Sequence, residues 1–195
     1  MFAPGGDVGR DRDFQDPSVE AIARTIVTER EPALVTFLQY AIISRDPAPM
    51  IATHLRGRSA RVTNAAADIA AACAAINGTG GAARGLRGAV LERTVYELVV
   101  GREPTAMREQ KVRLSALGAT PEVWSKPKEV VTDNDEVEVY EAKTNADDLD
   151  QDDVDELKAL RAAVTARRSD CLPAVVTLEP AEYLKRALRI NGIRG

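Results

Sequence analysis

Val137-Glu138-Val139-Tyr140-Glu141-Ala142-Lys143 is the stretch on which the reading of this 195-residue chain turns. Its alternation of valines with polar residues is the period of a β-strand, in which successive side chains point to opposite faces. Val137, Val139, Glu141 and Lys143 therefore share one face. A carboxylate and an ammonium stand together at its end.

Upstream, Glu129 to Thr132 reads as a partner strand and Asp133-Asn134-Asp135-Glu136 as the turn, by the residue types that turns select. With an odd loop, Asn134 to Glu136, Val131 faces Val139 and Glu129 faces Glu141. With an even loop, Lys128 comes opposite Glu141 and Thr132 stacks on Val137. The odd loop aligns valine with valine and is the preferred register. It crowds two acids and one lysine into a single patch.

Carboxylates held a few ångströms apart repel unless a cation lies between them, and hard oxygen ligands suit Mg²⁺ or Mn²⁺. A lysine beside such an ion can orient or deprotonate water, or stabilise charge growing on a phosphate. These parts fit metal-assisted phosphodiester hydrolysis. The competing account is plain, since a Glu-x-Lys pair on an exposed strand is ordinarily solvated surface.

The neighbouring elements decide between these accounts. From Gly85 to Gly101, Leu91, Val95, Leu98 and Val99 recur at helical spacing, with Glu92 close to that stripe. After the hairpin, Asp152 or Asp153 is expected to cap a helix running to about Arg168, with Val154, Leu157, Leu160, Ala163 and Val164 as its apolar stripe. Ala174 to Leu178 reads as a buried strand, and Pro180 opens a last helix through Leu188. The order is helix, hairpin, helix, strand, helix.

In this order and in Glu141-Ala142-Lys143 the chain resembles the PD-(D/E)XK nuclease superfamily, with its restriction-endonuclease-like fold, over roughly residues 85 to 190. The resemblance implies an α/β protein: a mixed sheet flanked by helices, with a helical N-terminal extension. It makes Glu141 a metal ligand, Lys143 the catalytic lysine, Glu92 the helix glutamate and Glu129 the first-strand acid. The family usually has Asp at that last position, often after Pro. This chain has Pro127-Lys128-Glu129, with Asp133 as the fallback acid. The activity implied is Mg²⁺- or Mn²⁺-dependent hydrolysis of DNA, in defence, repair or a mobile element, by a homodimer. The alternative is a catalytically degenerate relative that binds DNA or serves as a subunit of a complex.

Charge is sharply polarised along the chain. The whole carries a net charge of −4. Between His54 and Arg113 there are ten lysines and arginines against five acids, whereas Glu129 to Glu156 holds thirteen acids and one lysine. A basic half can hold phosphates while an acidic half collects metal. Arg84, Arg87 and Arg93, together with Lys185, Arg186 and Arg189, are the candidate DNA contacts. Aromatic residues make up only 4%, which leaves no stacking platform for single strands.

The remaining features mostly exclude. The Asp147-to-Asp155 run lacks the glycine and the final glutamate of an EF-hand loop, Asp153 and Ala159 standing in their places. Cys73, Cys171 and the lone His54 supply neither zinc-site spacing nor a Cys/His catalytic pair. Cys73 reads as a small buried hydrophobe in an alanine-rich helix. No stretch reaches membrane-spanning length, so no membrane partner and a cytoplasmic setting are expected.

Three regions are expected: residues 1–15 as a flexible tail, 16–81 as a helical region able to dock a protein partner, and 82–195 as the nuclease-like core. The first strand of the core is expected within 104–117 or near Val123-Trp124.

Overall fold

Prolines and short polar residues set the helix starts in the first half of the chain. The computed structural model describes residues 2–5, 12–116, 119–125, 128–132, 137–143, 146–167, 170–178 and 185, without the side chains of 129, 130 and 146. The chain is mixed α/β and divides into two compact units, Val8–Leu98 and a second made of Met1–Asp7 with Val99–Gly195. The division falls at Leu98, whereas composition suggested 81.

The first unit is helical. Helix α1 (Pro17–Glu29) starts at Asp16, whose carboxylate accepts a hydrogen bond from the Ser18 amide at 2.8 Å. Pro17 occupies the first turn, where a missing N–H costs nothing. Its buried side chains, Val19, Ile22, Ala23 and Ile26, follow the helical period. Helix α2 (Pro32–Ala41) buries Leu34, Phe37, Leu38 and Ala41, and a short α3 (Met50–His54) follows. Helix α4 (Ala60–Gly78), capped by Ser59, turns Val62, Ala65, Ala66, Ile69, Ala70, Cys73 and Ile76 inward. Small alanines let it lie close to both α1 and α2. Helix α5 (Ala83–Val100) crosses the division between units.

The second unit is a five-stranded sheet in the order β1 (Phe2–Pro4), β2 (Met107–Val112), β3 (Lys128–Val131), β4 (Val137–Lys143), β5 (Cys171–Thr177). Phe2–Pro4 is thus a strand, not part of a flexible tail: Phe2 pairs with Val112 and Pro4 with Gln110. The first four strands are antiparallel neighbours, and β5 runs parallel to β4. Helix α6 (Gln151–Thr165) makes the crossover that a parallel pair requires. Val112, Val131, Val137, Val139, Leu160, Val164 and Cys171 form its core, with Phe2 and Leu114 against them.

The β3–β4 register is that of the odd loop, with Val131 opposite Val139 and Val130 opposite Tyr140. Regular alternation fails in β2 and β3, however. Glu109 and Val112 are both buried, as are Lys128 and Val131, each pair three residues apart. Glu109 sits at this interruption with a left-handed φ of 50°, uncommon for a residue with a Cβ.

Asp150, not Asp152 or Asp153, caps α6. Its carboxylate accepts from the Asp153 amide at 2.9 Å while that of Asp153 accepts from the Asp150 amide at 3.3 Å, a reciprocal capping box. Asp150→Ala is expected to lower stability by about 1 kcal/mol, read as a shift in urea midpoint at unchanged slope. The helix expected after Pro180 lies outside the described residues apart from Lys185. Among the described residues no helix is long and apolar enough to cross a membrane.

Candidate functional site

Strand β4 buries Val137, Val139 and Glu141 on one face, as its alternation requires, and leaves Lys143 partly exposed at the end. Glu141 and Lys143 do meet: Lys143 Nζ lies 3.2 Å from Glu141 Oε1. Lys143 Nζ also lies 2.8 Å from Oδ2 of Asp153, in the first turn of α6.

A second lysine enters from β3. Lys128 is fully buried, and its Nζ donates to Glu141 Oε2 at 2.7 Å and to Glu156 Oε2, on α6, also at 2.7 Å. Both oxygens of Glu141 therefore face ammonium groups. Among the described residues, Lys128, Glu141, Lys143, Asp153 and Glu156 form one cluster joining β3, β4 and α6, with three carboxylates and two ammoniums. The distances are those of charge-assisted hydrogen bonds.

Pairing dominates the electrostatics of both lysines. Burial works against the charged form of Lys128, but the charge and hydrogen bond of Glu141, then those of Glu156, outweigh it and raise its pKa above the ordinary lysine value. Lys143 is likewise raised: burial is overcome by its hydrogen bond to Asp153 and the charge of Glu141. Both side chains are ammoniums at neutral pH. Lys143 can donate a hydrogen bond or offset negative charge there.

Glu129 is on β3, with its side chain outside the description, and Asp133 is outside it altogether. Glu92 is half-buried on α5 and belongs to the helical unit, while the cluster belongs to the sheet unit. Arg87 donates through Nε and Nη2 to Asn77 Oδ1, at 3.2 and 2.6 Å. Arg93 donates to Glu97 at 2.7 Å and lies over the Phe14 ring, 4.7 Å from its centroid. These two arginines are occupied within the helical unit. Arg84 and Lys185 are exposed, whereas Arg186 and Arg189 fall outside the described residues.

Asp153, Glu156 and the buried position of Lys128 complete the cluster, and none of them was expected in a site. Glu156 had a signal, since it immediately precedes Leu157 in the apolar stripe of α6. Lys128 had the even-loop register as its signal, yet it reaches Glu141 in the odd one.

The family resemblance implies Mg²⁺ or Mn²⁺, and the described side chains do not fit that ion. Mg²⁺ needs carboxylate oxygens at about 2.0–2.1 Å, whereas both oxygens of Glu141 already accept from ammoniums that would repel a divalent cation. Among the described residues no group of three or more His, Cys, Asp or Glu side chains is arranged to hold a metal. Cys73 offers no soft ligand, because burial pushes its thiol pKa up to about 12 against the lowering effect of Arg87.

No protein-family model, curated protein or solved structure matches this chain.

Proposed function

We propose that the protein is a catalytically degenerate relative of the PD-(D/E)XK nucleases that binds DNA without cutting it. The observation that carries this reading is Lys128, whose ammonium lies between Glu141 and Glu156 and takes up an oxygen of the acid expected to hold the metal. The order of α5, the β3–β4 hairpin, α6 and β5 supports the nuclease likeness. DNA contact rests on exposed cations of the helical unit, Arg84 with Arg56 and Arg58 just before α4.

Duplex DNA is expected to retain the protein at low salt. With about three phosphate contacts, affinity should fall about 40-fold between 50 and 200 mM salt, measurable by fluorescence anisotropy of a labelled duplex. Plasmid should survive incubation with wild type in Mg²⁺ or Mn²⁺. An absence of salt-sensitive retention would refute the DNA-binding reading.

A second reading, an active metal-dependent DNA nuclease, is favoured by Glu141 and Lys143 standing together on β4. Mg²⁺-dependent plasmid degradation by wild type that disappears in Lys143→Ala would establish it in place of the first.

A further inference from the structure

We propose that Lys128 is a tethered substitute for a divalent cation bridging Glu141 and Glu156. The inference deepens the reading above and rests on the same site, but its test involves no nucleic acid.

An ion bridging carboxylates from separate elements neutralises their charges, fixes their spacing and ties the elements together. Lys128 does all three. Its Nζ is 2.7 Å from Glu141 on β4 and 2.7 Å from Glu156 on α6, and its own stem is anchored in β3. Such a charge is tolerated in the interior only when paired, and this one is fully buried with two partners. Lys143 holds the remaining oxygen of Glu141 and the Asp153 carboxylate. An added divalent ion would crowd a third cation against the two ammoniums that already face Glu141.

The substitution also accounts for the sequence around the hairpin. In Pro127-Lys128-Glu129 the cation comes from the position next to Glu129, the residue carried over as the first-strand acid. Glu156, which the motif does not contain, becomes the second carboxylate on that cation.

The test is metal rescue. Wild type, Lys128→Ala, Lys128→Asp and Lys128→Ala/Glu156→Gln are titrated with Mn²⁺, following the electron paramagnetic resonance signal of free Mn²⁺ and thermal unfolding. Wild type is expected to bind no Mn²⁺ saturably and to keep its Tm in either Mn²⁺ or chelator. Lys128→Ala should lose roughly 10 °C or more of Tm, bind one Mn²⁺ per chain and recover part of the loss. Adding Glu156→Gln should abolish that recovery.

Lys128→Asp supplies a carboxylate directly and should be the variant most dependent on the ion. Saturable Mn²⁺ binding by wild type that is lost in Glu141→Gln would overturn the proposal. So would a failure of both Lys128→Ala and Lys128→Asp to gain stability or folding from Mn²⁺. Loss of DNA retention with these metal responses intact would refute only the DNA-binding reading.

Discussion

Lys128→Met is expected to destabilise the sheet unit by about 3–5 kcal/mol, the loss typical of breaking a buried ion pair from one side. The side chain is fully buried, and its removal leaves Glu141 and Glu156 facing each other without their shared counter-charge. Methionine keeps most of the stem volume, so the loss reports charge more than packing. Adding Glu141→Gln and Glu156→Gln should return much of the stability, since the two carboxylates that faced the lost ammonium are then neutral. Urea unfolding of the single and triple variants makes the comparison. A Lys128→Met midpoint equal to that of wild type would show that the cluster contributes nothing to stability.

The same cluster fixes an alkaline dependence. The folded pKa values of Lys128 and Lys143 are raised above the ordinary 10.5. A group raised in the folded state contributes stability that is fully present below its unfolded value and fades as pH climbs through the folded one. Wild-type stability from this source should therefore hold through neutral pH and decline above about 10.5, the ordinary lysine value. Lys128→Met should show a weaker decline over the same range.

Leu160→Ala is the second large effect, at about 2–5 kcal/mol. Leu160 is fully buried on α6 and belongs to the core formed by Val131, Val137, Val139, Val164 and Cys171. Truncation removes transfer free energy and leaves a cavity that stiff β-branched neighbours close poorly. Leu172→Ala is the matched control, because Leu172 lies on β5 yet is 46% exposed. Its unfolding free energy should change by no more than about 0.5 kcal/mol. Equal losses at the two sites would contradict the core as described.

The parts that could be read from residues alone are those governed by local rules. Alternating valines gave β4 its buried face, and aligning Val131 with Val139 gave the hairpin register. The 3.6-residue period gives the face of α6.

Pairing between distant segments was hidden. Phe2–Pro4 carries no strand signal of its own and becomes one by lying along β2. The burial of Lys128 depends on Glu156, 28 residues away, and a lysine without a visible partner is ordinarily assigned to the surface. The cap of α6 was ambiguous for another reason: Asp150, Asp152 and Asp153 all satisfy the same preference, and only backbone geometry selects Asp150. Arg87 and Arg93 looked free for phosphate because Asn77 and Phe14 cannot be matched to them by spacing alone.

Each of the two units carries one cysteine, Cys73 in the helical unit and Cys171 at the start of β5, and both are fully enclosed. A thiol reagent can reach either sulfur only while its surroundings are open, so its modification rate counts opening events around that cysteine. Mass-resolved labelling of the unaltered chain thus yields two independent clocks. The natural sequence comes equipped to report which half lets go first.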